Sequence, residues 1–157
     1  ARANVKGASA GNYALFAGGR ADGFCTTVDA YNASLTRTTA TALSSTKNNS
    51  AAATVGNHAI FVGSTASADI YDASLTKTSA AILSTARTGL AATTVGDYAI
   101  FSGGGVADFC DASLTRSNIG TSMTGYDMGA ATIGDYALFA GGHSGNTIYD
   151  SVEVYTA

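Results

Sequence analysis

The chain has 157 residues, a net charge of −3, 12% charged residues, no Pro and no Trp. Ala, Gly, Ser and Thr fill more than half of it. That length suits one domain. The acidic balance excludes a nucleic-acid binder of the usual basic-stripe kind. No apolar run nears the roughly 18 residues of a membrane-spanning helix, and a 46% hydrophobic fraction argues against disorder. The expectation is a soluble, small-residue-rich globular domain.

The first residue is Ala1, which reads as a processed, trimmed or excised chain, and no targeting signal is seen. Cys25 and Cys110 match no metal spacing and are too few for a disulfide scaffold, so two unpaired, partly buried thiols are expected. Asn32-Ala33-Ser34 and Asn48-Asn49-Ser50 fit the glycosylation acceptor pattern, which matters only in a eukaryotic secretory pathway.

Repeats organise the chain. Gly11-Asn12-Tyr13-Ala14-Leu15-Phe16-Ala17-Gly18-Gly19 returns from Gly56, from Gly96 and from Gly134, at spacings of 45, 40 and 38 residues. A second marker, Ala33-Ser34-Leu35-Thr36-Arg37, returns at Ala73–Lys77 and Ala112–Arg116. In chain order each unit reads as four short strands. The first is a small-residue run such as Leu90–Val95, turned by Gly-Asn or Gly-Asp, which tolerate positive φ. The second is the Tyr-Ala-Leu-Phe segment, apolar on both faces and therefore expected to be buried on both sides. The third is Val28–Tyr31 and its counterparts. The fourth is Thr-rich, as in Thr36–Leu43. No helical period of 3.6 survives across a unit. Ala and Gly belong where stacked sheets converge.

Four strands in about 40 residues are the signature of a β-propeller blade. A strand closed by Gly-Gly and followed by a Tyr about twelve residues on, as from Gly18-Gly19 to Tyr31 and Gly141-Gly142 to Tyr155, resembles the kelch repeat. The fuller pattern resembles kelch-like repeats of uncharacterised Gram-positive gut bacterial and phage-associated proteins. Departures are the missing fourth-strand Trp, Ser64 for the second Gly and Cys110 for the Tyr. The expected architecture is all-β: a kelch-like propeller of about four blades at 1–44, 45–84, 85–123 and 124–157, the last lacking its outer strand. The blade count leaves three alternatives: a fragment of a larger propeller, a half-ring that closes as a homodimer of about eight blades, or a compact four-bladed monomer. An open arc would expose two apolar blade faces.

No catalytic set emerges. His58 replaces a Tyr inside an apolar strand and reads as a core aromatic. His143 has Ser144 and Asp150 near it in sequence, but no nucleophile elbow surrounds Ser144. Asp29, Asp69, Asp108 and Glu153 recur at one position in each unit, which argues for a structural role rather than paired-carboxylate catalysis. No metal spacing, phosphate loop or cofactor motif is present.

Features that differ between units point to function, because binding sits on loops held by a rigid frame. Arg20, Phe24, His143 and Tyr149 lie in the long loops after the Gly pairs of units one and four. Arg2, Lys47, Arg87 and Tyr126 precede the first strands. In a propeller these positions gather at one mouth, where a cationic and aromatic ring suits an acidic peptide or a sugar. The alternative is solvated charge that blunts sheet ends. The expectation is a non-catalytic module that binds a protein or glycan partner, with no nucleic acid and no membrane. The second reading is a self-associating half-propeller. The low charge and the resemblance lean towards an extracellular, cell-surface or phage-particle setting.

Overall fold

The computed structural model describes residues 1–47, 50–122 and 124–156. The acceptor pattern at Asn48 and Asn49 lies outside the described residues. Among those described, every regular element is a strand. The first sheet holds β1 (Lys6–Ala10), β2 (Tyr13–Ala17), β3 (Val28–Tyr31) and β4 (Arg37–Ala40). The second holds β5 (Ala51–Val55), β6 (His58–Gly63), β7 (Thr65–Tyr71) and β8 (Lys77–Ala81). The third holds β9 (Ala91–Val95), β10 (Tyr98–Gly103), β11 (Val106–Asp111) and β12 (Arg116–Thr121). Then come β13 (Gly129–Ile133), β14 (Tyr136–Ala140), a hairpin of β15 (His143–Ser144) and β16 (Thr147–Ile148), and β17 (Val152–Thr156). Strands β13, β14 and β17 form the fourth sheet. Neighbouring strands within every sheet are antiparallel and, the hairpin aside, follow chain order.

Two local devices set the strand register. Gly11, Gly56, Gly96 and Gly134 open the two-residue hairpins at φ of 52° to 54°, where a Cβ is disfavoured. The second device explains the Ala-Ser-Leu-Thr marker. The Asn32 side-chain oxygen accepts from the Ser34 and Thr36 backbone N–H groups at 3.0 and 2.9 Å. Asp72 and Asp111 do the same in the next two sheets. These Asx turns hold Leu35, Leu75 and Leu114 in the left-handed region, at φ of 58°, 62° and 64°.

The sheets pack face on face. One core joins the first and second sheets through Leu15, Val28, Phe61 and Tyr71. Another joins the second and third through Ile60, Ile70, Phe101 and Cys110. A third joins the third and fourth through Ile100, Phe109, Phe139 and Tyr155. The first strands pack in sequence, β1 on β5, β5 on β9 and β9 on β13. Lys6, Ala52, Ala92 and Ala130, one from each first strand, line a shared cavity of about 210 Å³. Three of these four residues are Ala, which leaves room where the strands converge.

Four sheets thus enclose three cores, and among the described residues no buried core joins the fourth sheet back to the first. This corrects one expectation. Strands β6 and β10 are buried on both faces, but β2 and β14 are buried on one. Phe16 is 44% exposed, whereas its counterparts Phe61 and Phe101 are 1% and 0% exposed. The reason is position: β2 and β14 belong to terminal sheets, each with a neighbour on one side only.

Candidate functional site

In an antiparallel meander the start of the first strand and the link from second to third strand lie at the same sheet end. All eight sequence-predicted binding residues therefore fall at that end of their sheets. The structure divides them into three groups.

Arg2, Lys47 and Arg87 turn inward. Lys47 Nζ lies 3.3 Å from Asp69, with both side chains at most 3% exposed. Arg87 lies 2.5 Å from Asp108, which is fully buried. Arg2 pairs with Asp29 and donates to the Gly18 and Thr27 carbonyl oxygens at 2.6 and 2.7 Å. Each carboxylate is flanked by a second cation: Arg37 at 2.6 Å, Lys77 at 3.7 Å and Arg116 at 3.5 Å. Burial pushes the Asp29 carboxyl up, but the Arg37 hydrogen bond and the two guanidinium charges outweigh it and hold the group below its ordinary value. These three cations are thus engaged with the fold's own carboxylates.

Arg20 and Phe24 form the second group. Their backbones bridge, and the Arg20 guanidinium sits 5.7 Å from the centre of the exposed Phe24 ring. Tyr126, His143 and Tyr149 form the third. Tyr126 and His143 exchange backbone hydrogen bonds at 2.8 and 3.0 Å. His143 Nε2 stands 3.3 Å from Asp127, not beside Asp150, and the Tyr149 hydroxyl lies 2.9 Å from Thr124 Oγ1. Both groups are surface clusters on the terminal sheets.

Among the described residues no three His, Cys, Asp or Glu side chains cluster as metal ligands. Cys25 and Cys110 are free thiols, and burial, then the Asp111 charge, pushes Cys110 up to about 11, well away from a reactive thiolate. No helix is long and apolar enough to cross a membrane.

The sequence predicts two exposed blade faces in an open arc, and one face of the first sheet and one of the fourth are uncovered; what sequence reasoning missed is how the two faces differ. The register puts Ile133, Leu138, Val152 and Val154 on the open face of the fourth sheet. Ile133 is 70% exposed. The open face of the first sheet carries Ser9, Ala14, Phe16, Asp29 and Tyr31. These two faces differ in kind, and the difference repeats. At the first two internal contacts the earlier sheet offers an aliphatic face (Leu15 and Val28, then Ile60 and Ile70) and the later sheet a Phe-and-acid face (Phe61 and Asp69, then Phe101 and Asp108); at the third, Phe139, paired with Glu153, meets Ile100 and Phe109. The open faces are one of each. A periodicity scan shows that a strand has two apolar faces, but not which neighbour is missing.

The turns repeat the same relation. A Cβ on Gly11 would stand 2.6 Å from Ala73 Cβ of the next sheet, and one on Gly56 would stand 3.2 Å from Ala112 Cβ. Around Gly134, in the fourth sheet, nothing lies within 4 Å. Leu75 and Leu114 pack against the cores, whereas Leu35 is 81% exposed.

Comparison with known protein families finds no family model that matches this chain, and comparison with curated proteins finds no significant match.

Proposed function

We propose that this chain is a non-catalytic association module, a kelch-like propeller arrangement that mates with further sheets of its own kind. The observation that carries this reading is the complementarity of the two open faces. One has the aliphatic chemistry of the earlier face at the first two contacts, and the other has the Phe-and-acid chemistry of the later faces. Four sheets gathered with their first strands around one cavity support the propeller-like arrangement. A second copy supplies both missing halves at once: the fourth sheet of each chain covers the first sheet of the other, and the two-fold symmetry closes the set. The exposed Ile133, Val152, Val154 and Phe16 side chains supply the driving area.

The test is absolute mass by light scattering across a concentration series. A mass near twice 15.6 kDa is expected. Val154→Glu, at a side chain already half exposed, should return the protein to a monomer without unfolding it. A wild-type monomer at every concentration overturns the reading.

A second reading has its own observation. Arg20 with Phe24, and Tyr126 with His143 and Tyr149, expose aromatic and cationic groups at one end of the terminal sheets. We propose this end as the face for a protein or glycan partner. Glycan-array binding that survives Val154→Glu but is lost in Phe24→Ala would support it, and no binding by the wild type would sink it.

A further inference from the structure

The open face of the first sheet contains a cavity of about 500 Å³, lined in part by Arg2, Val5, Phe16, Asp29, Tyr31 and Arg37. The second and third sheets carry the same cradle, because Phe16, Phe61 and Phe101 each pair in register with an acid: Asp29, Asp69 and Asp108. The cradles of the second and third sheets are both filled by chain leaving the preceding sheet, and in the fourth sheet, where Phe139 pairs with Glu153, the Ser122 hydroxyl donates to Glu153 at 3.0 Å. In the second sheet, the Ser44 backbone N–H and hydroxyl donate to Asp69 at 3.1 and 2.5 Å. The Tyr71 hydroxyl donates to the Thr41 carbonyl oxygen at 2.6 Å, and Lys77 to that of Ala42 at 2.9 Å. Leu43 is buried in the core beside them. In the third sheet, the Ser84 N–H and hydroxyl donate to Asp108 at 3.1 Å, and Leu83 is buried.

We propose that the first-sheet cavity is a binding site for an extended peptide bearing Leu-Ser, held as Leu43-Ser44 and Leu83-Ser84 are held. The cradle already has its shape. Phe16 and Tyr31 meet edge to face at 5.9 Å and 80°, against 5.9 Å and 81° for Phe61 and Tyr71. Arg2 and Arg37 fix the Asp29 carboxylate, which has acceptor sites left for an N–H and an O–H. The Tyr31 hydroxyl and the Arg37 guanidinium stand where Tyr71 and Lys77 meet peptide carbonyls. Such a site selects a ligand that donates through a Ser, inserts one branched apolar side chain and presents carbonyls before it. The proposal rests on the association reading only in treating this face as a mating surface.

The probe is the blocked peptide Ser-Ala-Ala-Ile-Leu-Ser-Thr, the sequence of residues 79–85, titrated onto isotopically labelled protein by NMR. Saturable shifts are expected at Phe16, Asp29 and Tyr31. The affinity should fall about tenfold in Arg37→Gln, whose side chain is 56% exposed. No saturation by about 5 mM, or an equal response to a peptide with Leu and Ser replaced by Ala, overturns the proposal. A tethered form guards against weak binding. Ala1-Arg2 matches Ala86-Arg87, so the peptide fused ahead of Ala1 places Leu-Ser at the spacing that Leu83-Ser84 has from Arg87. It should raise the thermal midpoint relative to its Ala-substituted control, and equal midpoints would refute the site. Light scattering on the same samples separates the two ideas. Peptide binding to a chain that stays monomeric keeps this site and removes self-association. A dimer that neither binds the peptide nor is dissociated by it removes this site alone.

Discussion

The Thr132 hydroxyl donates to the Thr94 backbone carbonyl oxygen at 2.6 Å. Thr94 in turn donates to the Thr54 carbonyl, and Thr54 donates to the Ser9 carbonyl at 3.1 Å. All four residues stand two positions before a hairpin Gly. At this turn-proximal position each sheet is therefore latched to the one before it by a Thr hydroxyl. Thr94→Val keeps the shape and removes the latch, and should cost about 1 kcal/mol in chemical denaturation. Thr94→Ser should retain most of it.

The buried carboxylates are a stronger constraint. Asp108 holds Arg87, Arg116 and the Ser84 N–H and hydroxyl within the second interface. Asp108→Ala leaves the Arg87 charge buried without its partner and should destabilise by about 3–5 kcal/mol. Replacing Arg87 as well, by Met, should recover much of that loss. A double-mutant cycle of urea midpoints measures the recovery, and purely additive costs would contradict the pairing.

Acid should act through the Asx turns. The Ser113 hydroxyl, then the Thr115 and Ser113 backbone N–H groups, hold the Asp111 carboxyl below its ordinary value. With the folded pKa depressed, the stabilisation is complete above the unfolded carboxylate value of about 3.9. It is lost as pH falls through the lower folded value. Asn32 occupies the same place in the first sheet without a charge. Asp111→Asn should therefore keep the turn and flatten the fall in thermal midpoint between about pH 5 and pH 2.

Glycine substitution distinguishes internal from terminal contacts. Gly11→Ala meets both a left-handed backbone and the Ala73 Cβ at 2.6 Å, and should cost about 2–3 kcal/mol. Gly134→Ala, at φ +54 with open space around it, should cost only the backbone part, about 1 kcal/mol. If the fourth sheet mates with another copy, Gly134→Ala should also weaken that association, as seen in the concentration dependence of mass.

Much of the framework was legible in the residues. The Gly-Asn and Gly-Asp turns mark the hairpins, and β3 coincides with the Val28–Tyr31 segment. The fourth strands are shorter than expected: β4 ends at Ala40, since Leu43 leaves to fill the core between the first and second sheets. The β15–β16 hairpin was not anticipated, because the His143–Ile148 loop has no strand-like alternation. The basic residues were the hardest to read. Arg2, Lys47 and Arg87 look alike as solvent-facing charges or as buried partners until the register sets Asp29, Asp69 and Asp108 beside them. Which second strands lie open was hidden for a related reason: Phe16 and Phe61 occupy equivalent positions in near-identical segments, and only the neighbouring sheet separates their surroundings.

Because each sheet reads only the sheet next to it, the chain has a direction of mechanical failure. The second and third sheets are braced on both sides, while the first and fourth are braced on one. Pulled between its ends, the molecule should shed its outer sheets first and yield the central pair last, as separate rupture events rather than one. Added or deleted whole units would change the number of such events and leave the middle of the trace as it was.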